Sequence, residues 1–537
     1  MRTNIAGRKK NIKHDRVFWF MLAGNILAFL LITVIFTGLP LYLRSGYNNI
    51  AEGKYIFFMN VAKYTAIIMG FFTALYLVIR GMSEAELKAF RPIKKLDYAL
   101  LFFALVLIIS HLCSPYKSVG AGSSYWFHEG SVWGCLGWYM GLITYLVFIM
   151  FYFIVSRYLN YRDFVLLPVI VPAMIVFVWG IFNRFGVSFI EYDGLDPEYI
   201  SSIGNINWFC GYLTVILPII IGLYHYKEGL IRFLFAIPMF TGFFVTIING
   251  SDSGLFALFM TLLVLFVISS KDERKMARFS EIGSWLCATM VLVALINRFN
   301  PDLLTFRGMF GDLFTDVRIT LGIFLVSLAV LVYFHACSNE MAVYPKFLKK
   351  HLGHIAIIIS VLIAIAVIVL IAVNTALGGT LPIIGRHEFF IYDREWGTKR
   401  SVDWEVGFKS FLSLDFWHKL IGIGPDCFWF NIVDHPDLRE NVRLAFKDIR
   451  LVNAHDIFLT MLVNTGVIGL SAFIGVIVCA FKTFGSRLKE KPGLIMFILV
   501  LVMYLSNNLF SFEQITSTPF LWLAMGIGAS MTVKKAN

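Results

Sequence analysis

The sequence predicts an all-α polytopic integral membrane protein with about 14 transmembrane helices. Of its 537 residues, 58% are hydrophobic and 16% are aromatic, whereas only 15% are charged. A soluble core cannot bury so much apolar material. Mostly apolar windows of about 17 to 25 residues, the length that crosses roughly 30 Å of hydrocarbon, recur along nearly the whole chain. Basic residues cluster between some of these windows and are sparse between others, as in multi-pass membrane proteins.

Each predicted span has roughly 20 residues, and one large loop separates the eleventh span from the twelfth. The seventh and eighth spans form a tight hairpin through NGSDSG, from Asn249 to Gly254, because Gly and Ser favour a turn between two apolar runs. The fourteen spans start near Val17, Tyr55, Tyr98, Gly134, Phe164, Asn207, Ile231, Gly254, Ile282, Ile319, Ile355, Asp456, Leu494 and Phe520.

The basic clusters predict the orientation, because short cytoplasmic loops hold an excess of Lys and Arg. With an even number of spans, both termini are then expected in the cytoplasm. Much of the net charge of +12 follows from this topology, so the lipid bilayer is the expected surrounding and no nucleic-acid partner is expected. The clusters lie in the N-terminal arm, after the second span and after the eighth span: Arg2, Arg8, Lys9, Lys10, Lys13, Arg16; Arg80, Lys88, Arg91, Lys94, Lys95; Lys271, Arg274, Lys275 and Arg278.

The predicted organisation has three parts. Residues 1–378 hold spans one to eleven with short loops, residues 379–453 form a large loop on the outer (periplasmic or extracellular) face, and residues 454–537 hold the last three spans and a cytoplasmic tail. The loop is rich in aromatic residues that need packing partners, so it is expected to fold. A helix is predicted from Ser401 to Leu414. Its apolar face can lie on the membrane or on the span bundle and consists of Trp404, Phe408, Phe411 and Leu412.

A set of motifs runs through the second half of the chain. Arg400 and Trp404 are followed by GIGPDCF, from Gly422 to Phe428, and by NAHDIFLTMLVNTGVIGL, from Asn453 to Leu470. This order resembles the C-terminal signature of the O-antigen ligase and polymerase superfamily, and GNINWFCGYL, which starts at Gly204, is similar to a second motif of that family. The matching residues of the C-terminal signature are Arg400, Trp404, Gly422, Gly424, Ala454, His455, Leu459, Gly466 and Gly469.

Two positions depart from the family pattern. Asp456 stands where the family usually has Asn, and Asp252, between two serines, stands where the family often has Arg. Because an acidic group cannot hold an anionic phosphate directly, the phosphate-binding role is not assigned to Asp252.

The resemblance implies an enzyme of the outer face of the bacterial cytoplasmic (inner) membrane. Members of the family transfer a glycan from a polyprenyl (undecaprenyl) pyrophosphate carrier to a hydroxyl on a glycan, lipid or cell-wall acceptor, in cell-surface polysaccharide biosynthesis. The implied enzyme is an inverting glycosyltransferase, ligase or polymerase, that uses no cofactor and no metal. The alternative is a lipid-linked oligosaccharide flippase, which would often show two similar halves with charges near mid-membrane. A structural partner is a third possibility.

Arg400 and His455 are the predicted catalytic residues. A guanidinium stays charged and can bind two phosphate oxygens at once, so Arg400 suits the pyrophosphate. A neutral imidazole can take the proton of the acceptor hydroxyl, and a helix N-terminus at His455 favours the neutral ring. Asp456 would favour the protonated ring instead. The structural alternatives are an Arg400 that tops an interfacial helix and a His455 that caps a transmembrane helix.

Further residues are weaker candidates for substrate binding. Arg386, Arg443 and Arg450 can add positive charge, and Trp404 belongs to the motif. His128, beside Glu129 on the expected outer side, either lines the same cleft or decorates a loop. Asn205 and Asn207 either bind sugar hydroxyls or cap a helix. Lys63, inside the second span, either has a partner or extends toward the surface. The residues predicted to bind substrate are Arg386, Arg443, Arg450, Asn205, Asn207, Trp404, Asp456 and His128.

Overall fold

A computed structural model describes residues 2–80, 94–119, 128–190, 199–301, 303–304, 314–382, 384–385, 387–447 and 449–532. Within these ranges most of the chain is helical, and the only paired strands are Tyr199–Ile200 and Gly204–Asn205, which run antiparallel. Helices dominate because the backbone groups of an apolar segment in lipid must be satisfied inside the segment itself. The all-α polytopic architecture predicted from composition is therefore confirmed.

Eleven helices in this part of the chain are long and apolar enough to cross a membrane. The first of them, α1, continues through a π-helical turn, Val34–Gly38, to a last turn at Leu39–Leu41. Their bounds, with one shorter helix (α4) in chain order, are α1 Arg2–Thr33, α2 Ile50–Arg80, α3 Lys95–Cys113, α4 Leu142–Tyr158, α5 Leu167–Arg184, α6 Ile206–Tyr226, α7 Ala236–Asn249, α8 Asp252–Ser269, α9 Glu273–Phe299, α10 Val317–Ser338 and α11 Lys346–Ala376, followed after the large loop by α16 Ile457–Gly485.

Three apolar helices are shorter than the others. They are α4, Leu142–Tyr158, and the last two helices of the chain, α17 Ile495–Asn507 and α18 Thr518–Met531. All three occur where spans are predicted, but their length leaves the count of fourteen spans a prediction. The span predicted from Gly134 begins only at Leu142. Gly134 and Gly137 have φ angles of +94° and +88°, which a right-handed helix does not contain.

Burial divides the span helices into central and peripheral ones. In α6, 83% of the most apolar 18-residue window is buried, whereas in α11 the value is 0%. The central α6 packs on α17, and α18 packs on α4, so the last two helices close the middle of the bundle. The peripheral helices α10 and α11 expose their apolar side chains outward, as lipid-facing helices do.

The large loop between α11 and α16 folds into a compact unit, which we call the lobe (residues 377–456). Its helices are α12 Trp396–Ser413, α13 Phe416–Ile421, α14 Phe428–Asp434 and α15 Pro436–Phe446. They enclose a small hydrophobic core that includes Val406, Phe428 and Val442. The segment has a hydrophobic core of its own, and this core is continuous with the start of α16 through Val463.

Helix α12 confirms the helix predicted from Ser401 and decides between the two placements of its apolar face. Phe408 and Leu412 are 55% and 52% exposed. The buried face instead contains Val402, Asp403 and Val406. Gly407 lies against Leu459 and Ala454 so closely that a Cβ atom there would be 2.7 Å from the Leu459 side chain. The small-residue face therefore meets the bundle, whereas Phe408 and Leu412 face away from it.

The glycines of GIGPDCF dock the lobe on α16. Gly422 and Gly466 have φ angles of +77° and +68°, and a Cβ atom on either would lie 2.2 to 2.3 Å from a backbone oxygen of the other segment. The backbone N–H of Gly424 donates to the carbonyl oxygen of Asn464, 2.9 Å away. Only glycine permits this backbone conformation and this close approach together. The turn thus delivers Asp426 to the inner side of the lobe.

Candidate active site

The candidate site lies where three segments meet: the start of α12, the residues before α16, and the loop from 508 to 517 between α17 and α18. Two backbone contacts hold the segments together. The Arg400 Nε donates to the carbonyl oxygen of Phe510, 2.8 Å away, and the backbone N–H of Ile457 donates to the carbonyl oxygen of Asn508, 2.9 Å away. Arg400 and His455, which are far apart in the chain, are thereby held at one loop.

His455 precedes the helix that was predicted to begin there. It has a left-handed φ of +47°, and its backbone N–H donates to the side-chain oxygen of Asn453, 3.0 Å away. The N-cap of α16 is Asp456, whose carboxylate accepts from the backbone N–H of Leu459 at 2.8 Å. Asp456 therefore caps α16. The imidazole of His455, which is 29% exposed, is available for other contacts.

The nearest charged group to the His455 ring is the carboxylate of Asp403. Its Oδ2 lies 2.9 Å from Nδ1 of His455, and the Asp403 side chain is only 2% exposed. The contact is too bent for a hydrogen bond, and neither Nδ1 of His455 nor Oδ1 of Asp403 has a hydrogen-bond partner. A carboxylate beside Nδ1 can orient the ring and stabilise the positive charge that the ring gains when Nε2 accepts a proton.

The residues around His455 differ from those expected from its position in the sequence. The helix terminus and Asp456 were expected to set the charge of the ring, but Asp456 is engaged as a cap. Burial raises the pKa of Asp456, against the opposing effect of backbone N–H groups. Asp403 is the functional residue that sequence reasoning missed. Its position one residue before Trp404 of the motif was the available signal.

Arg400 begins the regular part of α12, directly after Gly397, Thr398 and Lys399, which have left-handed φ angles. One terminal nitrogen, Nη1, donates to the carbonyl oxygen of Gly397, 2.6 Å away. Burial lowers the pKa of the Arg400 guanidinium, and the carboxylates of Asp403 and Asp252 oppose that shift. Arg400 still carries its full charge at neutral pH, because the ordinary pKa of an arginine lies far above 7. A guanidinium has five N–H groups, so Arg400 retains donors for a ligand.

Asp252, the departure from the family pattern, lies at the start of α8 close enough to act electrostatically on Arg400. The hairpin predicted from Asn249 to Gly254 thus reaches the candidate site. Its turn is confirmed, with Gly250 in a left-handed conformation at the end of α7. Arg400 therefore faces two carboxylates, Asp252 and Asp403, before any substrate arrives.

Aromatic rings line the site on both sides of Arg400 and His455. The ring of Trp404 lies between Trp396 and Phe510, with centroid distances of 5.6 and 6.0 Å, and its Nε1 is buried without a hydrogen-bond partner. Phe512 meets the His455 ring edge to face at 5.0 Å. Sequence reasoning missed the loop that carries Phe510 and Phe512. Its polar run NNLFSFEQITST, unusual between two apolar helices, was the signal.

The other predicted arginines have different surroundings. Arg450 pairs with Glu129 at 2.8 Å, and Arg443 pairs with Glu440 on its own helix at 2.7 Å. His128 is exposed next to Glu129. Arg386 lies outside the described residues. The structure therefore assigns carboxylate partners to Arg443 and Arg450, and brings Glu129 rather than His128 into a specific contact.

The next two residues that the sequence singled out, Asn205 and Lys63, have positions that fit structural roles. The side chain of Asn205 caps α6 by accepting from the backbone N–H of Asn207, 2.8 Å away. The sequence left two interpretations open for Asn205, and this contact is the one expected for a helix cap. Lys63 is exposed on α2, which agrees with a side chain that extends toward the surface. In the described residues, no three His, Cys, Asp or Glu side chains are grouped as a metal site.

A comparison of the chain with models of protein families finds no match. A comparison with curated proteins finds none either. The fold and the site by themselves define an all-α, multi-pass membrane protein. It has a cluster of Arg, His and Asp side chains where a folded lobe meets the helix bundle.

Proposed function

We propose that this protein is a membrane glycosyltransferase of the O-antigen ligase or polymerase type. It transfers a glycan from a polyprenyl pyrophosphate carrier to an acceptor hydroxyl. The observation that carries the proposal is the contact of His455 with the buried Asp403, 2.9 Å, beside Arg400 on the same lobe helix. A base that is oriented by a carboxylate, next to a fixed cation, suits the transfer of a sugar from a pyrophosphate.

In the proposed reaction, Nε2 of His455 takes the proton of the acceptor hydroxyl. The hydroxyl oxygen attacks the anomeric carbon of the donor glycan, and the bond from that carbon to the pyrophosphate oxygen breaks on the opposite face. The configuration inverts, and polyprenyl pyrophosphate leaves with the electron pair. Asp403 acts as a positioning residue, since its carboxylate lies beside Nδ1 and stabilises the imidazolium that forms.

Arg400 is proposed to bind the pyrophosphate. Charge builds up on the leaving oxygen as the bond breaks, and a guanidinium donor placed there stabilises that charge. Asp252 and Asp403 reduce the net positive charge near Arg400. The directed N–H groups of Arg400, rather than a general positive field, are therefore expected to hold the donor. A flippase would bind the same lipid-linked glycan but would leave its anomeric bond intact.

The test uses the purified full chain in nanodiscs with a synthetic polyprenyl pyrophosphate glycan and a hydroxyl acceptor. Mass spectrometry of the products should show the glycan joined to the acceptor and free polyprenyl pyrophosphate. A matched control is available in the lobe, where the half-buried His418 pairs with the exposed Asp415 at 2.5 Å. His418→Ala should transfer normally. Movement of intact donor between the leaflets of proteoliposomes without any transfer would support the flippase instead.

The reaction side of the membrane is part of the proposal. The basic clusters in the sequence support an orientation with both termini in the cytoplasm and the lobe outside. Single cysteines at positions 275 and 409, in a background without the native cysteines, can be labelled on intact cells with an impermeant thiol reagent. Labelling is expected at position 409 and not at position 275. The reverse pattern would move the site to the cytoplasmic side. Deletion of the gene then separates ligase from polymerase by the length and attachment of surface polysaccharide.

A further inference from the structure

A small, largely apolar pocket that holds several polar groups lies beside the candidate site, between the lobe and the bundle. Its lining includes Tyr145, Asp426, Asn453, Asn464, Phe512 and Glu513. The pocket is narrow, with space for a few water molecules and not for a sugar ring. Two carboxyl groups in one narrow, largely apolar pocket are uncommon, because burying a carboxylate is costly unless it is bonded. The proposed roles of Arg400 and His455 do not use this pocket.

The pocket adjoins His455 on two sides. Asn453, which lines the pocket, accepts the backbone N–H of His455 at 3.0 Å. Phe512, which also lines it, has its ring against the imidazole at 5.0 Å. The pocket therefore begins one residue layer from the imidazole, on the side of the ring where Phe512 packs.

Glu513 is held inside the pocket by tyrosine hydroxyl groups. Tyr145 donates to its Oε2 at 2.5 Å, and Tyr504 lies 3.5 Å from its Oε1. Asp426 accepts the backbone N–H groups of Cys135 and Met140 through a single oxygen, Oδ2, at 2.7 and 2.9 Å. Neither carboxyl has a basic partner among these contacts, so each can exist in the protonated or the ionised form.

A third carboxylate continues the line toward the surface. Glu129 accepts the backbone N–H of Leu136 at 2.9 Å, one residue from the Cys135 N–H that Asp426 accepts. Glu129 is 18% exposed, and its partner Arg450 is 49% exposed. Burial thus decreases from Glu513 and Asp426 to Glu129, and the line ends at a solvent-facing arginine.

We propose that the pocket and the carboxylates Glu513, Asp426 and Glu129 are the outlet for the proton that His455 removes from the acceptor. This inference rests on the proposed function. Transfer of the glycan releases one proton, because the hydroxyl loses it while the pyrophosphate leaves as an anion. With donor and acceptor bound over the exposed edge of His455, the proton passes from the imidazolium through water in the pocket to Glu513, then to Asp426 and Glu129, and so to solvent. The ring returns to its neutral form for the next cycle.

The protonation of the two buried carboxyls agrees with this outlet. The pKa of Asp426 is raised to about 7, chiefly by burial; the backbone N–H groups oppose the shift, and the nearby Glu129 and Glu513 contribute to it. Burial also raises the pKa of Glu513 to about 7, and the hydroxyl groups of Tyr145 and Tyr504 oppose it. Groups of this pKa gain and lose protons readily near neutral pH. The titratable groups that face the two carboxyls are Tyr55, Cys135, Cys427, Tyr145, Tyr504 and Glu129.

The decisive experiment is rescue of a blocked outlet by a small proton carrier. Glu513→Gln keeps an oxygen that can accept from Tyr145 but cannot take up a proton. In weak buffer, we expect turnover to fall by about tenfold or more with donor affinity unchanged, since proton transfer becomes slow. Added imidazole should restore turnover in a concentration-dependent manner, because it carries the proton directly from His455.

Three controls make the result specific. Glu129→Gln, nearer to solvent, should show a smaller loss that imidazole also restores. Glu405→Gln removes an exposed carboxylate that pairs with Lys409, and it should transfer like the unmodified protein with and without imidazole. Infrared spectra of the unmodified protein should show a protonated carboxyl band that titrates near neutral pH and is diminished in Glu513→Gln.

The outcomes separate this inference from the proposed function. If the unmodified protein transfers glycan and Glu513→Gln is equally fast in weak buffer, the outlet is wrong. A slow Glu513→Gln variant that imidazole does not accelerate has a packing defect, and the outlet is again wrong. If the unmodified protein transfers no glycan, the proposed function fails and the outlet fails with it.

Discussion

Two carboxylate environments lie near His455, and they differ in what holds them. On the lobe side, Asp403 touches the imidazole at 2.9 Å, and its second oxygen has no hydrogen-bond partner. On the bundle side, in the pocket between the lobe and the bundle, Glu513 of the loop before α18 and Asp426 of the lobe are bonded to hydroxyl and backbone N–H groups. The first arrangement suits a residue that orients a base, whereas the second suits groups that exchange protons.

The two environments reach His455 by different routes through the fold. Asp403 arrives on α12, whose small residues let the lobe pack closely on α16. Glu513 arrives on the loop between the last two helices, which is tied to the lobe by the bond from Arg400 to Phe510. Changes on the lobe side should therefore affect the chemical step most, and changes on the bundle side should affect protonation.

The largest effect is expected for His455→Ala, which removes the group shared by both environments. Glycan transfer should fall by roughly 10² to 10⁴, the usual contribution of a general base. Donor binding should persist, because Arg400 is intact. Transfer and donor binding are measured on purified protein in nanodiscs. A transfer rate close to that of the unmodified protein would remove His455 from the mechanism.

A smaller but still large loss is expected for Arg400→Lys. Lysine keeps the charge but loses the planar guanidinium, which both binds the backbone oxygen of Phe510 and offers paired donors to phosphate. Transfer should fall by roughly 10² while the protein still accumulates in the membrane. Lys399→Arg, at the neighbouring position, serves as a control for the exchange of one basic side chain for another. Nearly normal transfer by Arg400→Lys would mean that Arg400 only anchors the lobe helix.

Asp403→Asn tests the lobe side by itself. The amide keeps the shape of the side chain but loses the negative charge that faces the imidazole. We expect transfer to fall by about tenfold to a hundredfold, less than for His455→Ala, because the base itself remains. The acidic limb of the pH profile of kcat should also move to lower pH, because the imidazolium loses the negative charge that stabilises it. A loss of rate with no change in the profile would assign Asp403 a packing role.

The smallest expected effect is on the pH dependence of stability, and it comes from Asp426 in the pocket. The folded pKa of Asp426 is about 7, above the unfolded value of about 3.9, so the folded protein binds the proton more tightly. The contribution to stability is then present at low pH and is lost as pH rises from about 4 through about 7. Asp426→Asn should flatten this part of the profile of Tm against pH. Asp415→Asn, in an exposed position of the lobe, should leave it unchanged.

Sequence reasoning found the residues of the site that belong to a local motif. Arg400 and His455 stand in short, recognisable segments, and the structure brings both to one loop. The two interpretations of Asn205 could not be separated from sequence, because capping depends on where the helix starts. The span predicted from Gly134 was placed too early because an apolar window does not reveal left-handed glycines.

The sequence by itself determined the helical membrane architecture, since hydrophobicity over one window decides whether a segment can span lipid. It also determined the hairpin before α8 and the presence of a folded lobe. Only the tertiary structure decided that Asp403 faces His455, that Asp252 lies near Arg400, and that Glu513 lies in a pocket beside them. These partners come from segments separated by long stretches of chain. The packing of helices and loops decides which groups lie next to a carboxylate. A single sequence does not give the distances between residues of such distant segments.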